Sequence, residues 1–120
     1  MSRQLSFSKI ENKLLPSFRR QMGSAESTED IKKFYTYTAQ ELLNLALADK
    51  AQISYEDISL LPEEIPHYRL NQDLLTNADF TTLWQGSDLR HVLGRLTDTA
   101  MNHYRHLAKN PGKTEAKIRN

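Results

Sequence analysis

The chain has 120 residues, 38% of them apolar and 26% charged, the size and make-up of one globular domain with a real core. It has no cysteine, which excludes disulfides, thiolate nucleophiles and cysteine-based zinc sites. The net charge of +1 is unevenly spread: residues 1–22 and 103–120 each sum to +4, while 23–102 hold six basic and thirteen acidic residues, a net −7.

The opening residues, MSRQLSFSKIENK, lack the apolar run of a secretory signal, and the longest dense apolar stretch, Leu42 to Ala48, is far too short to cross a bilayer. The expectation is a cytoplasmic protein without a membrane segment. From about residue 6 to 22, Ile10, Leu14, Phe18 and Met22 recur at i, i+4 steps, with Leu15 widening the stripe, so a helix is predicted. Pro16 falls inside it and should kink or divide it, because proline removes a hydrogen bond and crowds the preceding turn. Gly23 should end it.

Ser27 is placed to cap the next helix, with Asp30 three residues on at the capping-box position. That helix is predicted over 28–51, with a seam of Ile31, Phe34, Thr38, Leu42, Leu45 and Asp49. From Leu42 to Ala48 nearly the whole circumference is apolar, which marks a central element covered on several sides.

"ISYEDISLLP" supports two readings. Ser54 as cap, Asp57 at the box position and Ile53 against Ile58 make a short helix, while partial alternation makes a strand and a small hairpin near 53–60. Pro62 and Pro66 bracket an extended or turn-like stretch. One or two short helical turns follow in "NQDLLTNADFTTLWQG", closed by Gly86, with Trp84 anchoring 79–85.

The last helix is predicted over 88–109, capped by Ser87 and ended by Asn110-Pro111-Gly112. Leu89, Leu93, Leu96, Ala100, His103 and Leu107 make a heptad seam. His91, Arg95, Asp98, Asn102, His106 and Lys109 occupy the opposite face. The predicted fold is therefore all-α: a small irregular helical bundle of three main helices plus short segments. Residues 1–110 form a single domain and 111–120 a basic, mobile tail.

Candidate chemistry is thin. His103 and His106, three apart on a helix, are the only candidate metal pair, but the seam gives them different directions and no carboxylate completes a set. There is no nucleophile elbow, glycine-rich phosphate loop or HExxH sequence. Glu63 and Glu64 beside Pro66 and His67 read as a solvated turn, and Phe34, Tyr35 and Tyr37 as core aromatics with hydroxyls reaching the surface. No enzyme activity and no cofactor are expected. The leading reading is a protein-interaction module acting through its helical surface and charged ends, with Arg19, Arg20, Arg105, Lys109, Lys113, Lys117 and Arg119 as interaction candidates and a homodimer among the partners. Two alternatives stand beside it: a nucleic-acid accessory protein using the basic ends, with Tyr104 or Trp84 stacking on bases, and a histidine-dependent metal protein.

Overall fold

The computed structural model describes residues 6–48 and 52–109. The chain is mostly helical with one small sheet. In order, α1 (Ser8–Ser24), α2 (Thr28–Leu47), β1 (Ile58–Leu60), β2 (Tyr68–Leu70), α3 (Gln72–Leu75), α4 (Ala78–Gly86) and α5 (Leu89–Lys109) follow one another. Helix α2 is central, packing against α1, α4, α5 and β1.

Pro16 does not divide α1, which runs unbroken through it. Asn12 and Pro16 both lie on the exposed side, so the Asn12 carbonyl left without a backbone donor faces solvent rather than the core. Nor does Gly23 stop the helix; it ends one residue later, where Ser24 Oγ donates to the Gln21 carbonyl at 3.0 Å and Ala25 turns extended.

The start of α1 is held from outside. Phe7 N–H donates to Asp88 Oδ1 at 2.8 Å and Ser6 Oγ to Asp88 Oδ2 at 3.0 Å. One turn on, Arg95 grips Glu11 through two charge-assisted bonds of 2.7 and 2.8 Å. Glu11 sits on the apolar face of α1 and keeps only 9% of its side chain exposed, against 53% for Arg95. Its attachment to Glu11 also raises the Arg95 pKa. These contacts set α1 and α5 side by side and parallel, and α2 runs antiparallel to both.

Ser27 caps α2 as expected, accepting from Asp30 N–H at 3.2 Å. The returning bond goes to the neighbouring amide: Asp30 Oδ2 accepts from Glu26 N–H at 3.1 Å. The helix stops at Leu47, short of the expected 51, and Ala48 adopts a left-handed conformation (φ 48°, ψ 52°). The cause lies downstream. Asn44 Oδ1 accepts from Ile53 N–H at 2.8 Å and Gln40 Nε2 donates to the Ile53 carbonyl at 2.9 Å, which holds Ile53 beside the last turns of α2. Of the expected seam, Ile31, Thr38 and Leu42 are buried, Phe34 is half-buried and Leu45 is 40% exposed; Tyr35, Ala39, Leu43, Ala46 and Leu47 complete the buried face, and Asp49 lies outside the described residues.

Both readings of 53–60 hold in part. A single 3-10 turn spans Tyr55–Asp57, where Asp57 Oδ2 accepts from Ser54 N–H at 2.7 Å, and β1 follows at once. The hairpin reaches further than expected, pairing Ile58 with Leu70, Ser59 with Arg69 and Leu60 with Tyr68 in antiparallel register. Asp57 also ties the two ends of the hairpin, its carbonyl accepting from Asn71 N–H at 2.8 Å and its Oδ1 from Asn71 Nδ2 at 3.1 Å. Asn71 and Asn77 cap α3 and α4. Trp84 anchors α4 as read, stacked on Phe80 at 5.3 Å and edge-on to Tyr68 at 6.2 Å.

Ser87 Oγ accepts from Leu89 N–H at 3.2 Å at the start of α5. The seam of α5 is buried from Leu89 to Ala100 and again at Leu107, with His103 half-buried between. Tyr35 is fully buried rather than reaching the surface. Its hydroxyl lies 2.8 Å from Thr97 Oγ1, which itself donates to the Leu93 carbonyl at 2.8 Å, so the phenol is the donor in this chain of bonds. Burial pushes the Tyr35 pKa well above its usual value, and that of Tyr68 upward too.

The buried polar contacts can each be tested through stability. Thr97→Val strands a buried phenol donor and is expected to cost about 1–3 kcal/mol, more than Tyr35→Phe at about 1 kcal/mol, in urea unfolding. Because both tyrosine pKa values are raised in the folded chain, the unfolded chain ionises first: stability is full below about pH 10 and falls above it, and Tyr35→Phe should flatten that fall in thermal melts. Arg95→Met leaves the Glu11 carboxylate without its partner and is expected to cost about 1–3 kcal/mol, discounted from the buried-pair range because Arg95 is half exposed. Adding Glu11→Met should recover most of it; equal losses in the single and double variants would contradict the role given to the pair.

Candidate functional site

The parallel run of α1 and α5 brings their C-terminal ends together, and an open cleft of about 340 Å³ lies between them. Met22, Gly23 and Ala25 line it from α1 and the turn after it; Asn102, His103, His106 and Leu107 line it from α5. Met22, Ala25 and Leu107 give it an apolar floor continuous with the core. The two histidines, which the heptad pattern points apart, therefore share one concavity.

Gly23 lines the cleft without adding a side chain to it. A Cβ at this position would meet nothing within 4 Å, so any side chain there would project into free space. Its backbone is helical, and no positive φ calls for glycine. Glycine inside a helix is less stable than alanine by about 0.5–1 kcal/mol. The sequence thus accepts a weaker helix at a position where local geometry would take almost any residue.

Cations stand at the rim. Arg19 lies one turn before Gly23 on the same row of α1, and Lys109 lies near His106 on α5, one turn on; both are exposed. Lys109 also offsets the negative end of α5, while α1 has no basic residue in its last turn. Arg20 instead joins Lys9 and Lys13 in a row along the outer face of α1. Since Glu11 is turned inward and neutralised, that outer face is cationic throughout. Arg105 serves the hairpin side of α5, where its Nη2 is 3.4 Å from His67 Nε2; His67 Nδ1 is 3.1 Å from the Leu61 carbonyl. Lys113, Lys117 and Arg119 lie outside the described residues.

The metal reading gains a shared cleft but no further ligands. Among the described residues no group of three or more histidine, cysteine, aspartate or glutamate side chains could hold an ion. His91 is on the exposed face of α5, three turns earlier, and His67 is engaged on the hairpin. A second concavity of about 280 Å³, lined by Glu56, Ser59, Arg69 and Asn71, lies on the outer face of the hairpin. Trp84 and Tyr104, the candidate base-stacking rings, are half-buried against the core, and the Lys32 ammonium stands 5.9 Å from the centre of the Tyr104 ring. Among the described residues no helix is long and apolar enough to cross a membrane.

Sequence reasoning overlooked Glu11 and Gly23. Phe7, Glu11, Leu14 and Phe18 follow a 4-3-4 spacing, so a lone acid stands on an apolar stripe; that was the available signal. Gly23 looked like punctuation, and only the neighbouring helix reveals the space it leaves. Comparison of the chain with protein-family models, curated proteins and solved structures gives no match.

Gly23→Ala should raise stability by about 0.5–1 kcal/mol, measured as a higher urea midpoint with unchanged slope. A loss of stability would mean that the position needs glycine for its own fold.

Proposed function

We propose that this chain is a small, non-enzymatic interaction protein that holds a short apolar segment with acidic flanks in the cleft between the ends of α1 and α5. The proposal takes residues 1–110 as one helical bundle and 111–120 as a basic tail, working in the cytoplasm. The observation that carries it is the cleft: an apolar floor from Met22, Ala25 and Leu107, a lining glycine whose backbone does not need to be one, and two exposed cations, Arg19 and Lys109, one helical turn from lining residues. An apolar floor supplies affinity by burial, and rim cations select acidic flanks and speed encounter.

The row Lys9, Lys13 and Arg20 favours a second reading, in which the outer face of α1 neutralises phosphates of a nucleic acid. The two readings use different residues and separate cleanly.

Fluorescence anisotropy with a labelled peptide, acetyl-Ser-Glu-Glu-Leu-Glu-Glu-Ser-amide, tests the first. Binding is expected with a Kd of roughly 10–500 µM, as suits a small contact, and at least ~10-fold weaker after Gly23→Phe or after Arg19→Glu with Lys109→Glu. A peptide with serine in place of leucine should bind no better than those variants. No binding of the leucine peptide, together with salt-sensitive binding of a mixed-sequence DNA duplex that is lost on Lys9→Ala, Lys13→Ala, Arg20→Ala, would replace this reading with the second.

A further inference from the structure

The tip of the hairpin carries what the cleft is built to take. Ile65 is 89% exposed, the most exposed large apolar side chain among the described residues, and it stands between Glu63–Glu64 and Pro66. A lone exposed isoleucine needs no explanation in itself. One at the end of a hairpin, next to two exposed carboxylates, has the make-up of a docking segment: an apolar anchor with charged neighbours. The whole excursion from Gln52 to Gly86 bears six acids against a single base, Arg69, a net −5. The described part of α1 bears Lys9, Lys13, Arg19 and Arg20, with its one acid neutralised inside.

Tip and cleft lie at the same end of the molecule. His67, two residues from Ile65, contacts Arg105, while the next residue of α5, His106, lines the cleft. A molecule that carries a plug and its socket at one end can exchange them reciprocally with a second copy. Such an exchange about a two-fold axis closes, giving a dimer and no filament.

Resting on the cleft as a binding site, we infer that its occupant is the hairpin tip of a second copy of this chain: Ile65 of each protomer enters the other's cleft, and Glu63 and Glu64 meet Arg19 and Lys109. Space permits it, since about 340 Å³ exceeds the volume of one isoleucine side chain. Charge favours it, since Glu63 and Glu64 on the tip are opposite in sign to Arg19 and Lys109, each one helical turn from a residue that lines the cleft. Two small contacts put the dimer in the weak, reversible class, formed at micromolar to millimolar concentration.

Sedimentation velocity on the full chain, from micromolar to about 0.5 mM, is expected to show a reversible species of twice the monomer mass. Ile65→Ser and Gly23→Phe should each move its formation to at least ~10-fold higher concentration. The chain has no cysteine, so a directed disulfide gives a second readout. A Glu64→Cys chain mixed with a Gly23→Cys chain should cross-link under mild oxidation, and with a Lys9→Cys chain far less. A monomer throughout the range, a dimer indifferent to both variants, or equal cross-linking with the Lys9→Cys control would overturn the inference. If the chain stays monomeric while the leucine peptide still binds, only the occupant is wrong; if neither occurs, the cleft reading falls with it.

Discussion

The bond between Glu11 and Arg95 decides how the rest of the molecule can be arranged. A carboxylate on the apolar face of α1 cannot be buried unpaired, because the desolvation cost would exceed what the neighbouring apolar contacts return. Only one register of α5 brings the Arg95 guanidinium over it, and Asp88 at the start of α5 repeats the constraint through the Phe7 amide. With both contacts made, α1 and α5 are locked parallel, and Met22 and Gly23 must come opposite His103 and Leu107. The same bond removes the only acid from the face of α1. Register, cleft and charge layout thus share one origin.

Helix α2 supplies the apolar side of the fold. It meets neighbours on several sides, so its buried line is set by tertiary packing as much as by its own pattern. The chain of bonds from Tyr35 through Thr97 to the Leu93 carbonyl keeps the one deeply buried hydroxyl pair satisfied and fixes α2 against α5. The Asn44 and Gln40 contacts with Ile53 do the same for the hairpin. Two interfaces of α2, with α5 and with the segment leading into β1, therefore carry directional bonds as well as apolar area, and directional bonds select one arrangement among many of similar burial.

Much of this was legible in the sequence, and unevenly so. Ser27, Ser87 and Gly86 mark their boundaries because capping and termination act over three or four residues and need no distant partner. The seam of α5 was legible because one face of a regular helix does the packing. The seam of α2 was legible in part: Ile31, Thr38 and Leu42 are buried, but Leu45 falls on the exposed row of Lys33, Tyr37 and Glu41, where an apolar residue gives no sign that it faces solvent. Pro16 misled because its cost depends on whether the freed carbonyl faces solvent, a tertiary fact. The left-handed end at Ala48 was hidden for a similar reason: alanine gives no local sign of it, and its cause is the attachment of Ile53. In the cleft, His103, His106, Arg19 and Lys109 were visible as residues but not as neighbours, since their meeting depends on the parallel course of two helices far apart in sequence.

Under the proposed function, Gly23 sets stability and binding against each other. Selection for a firmer fold alone would exchange it for alanine, whose Cβ would meet nothing within 4 Å. That step would tighten α1, and any larger side chain would bring atoms to a wall of the cleft. On that reading, a change that favours the helix at position 23 is set against the space that recognition needs, so gain of stability and loss of association would arise from one substitution.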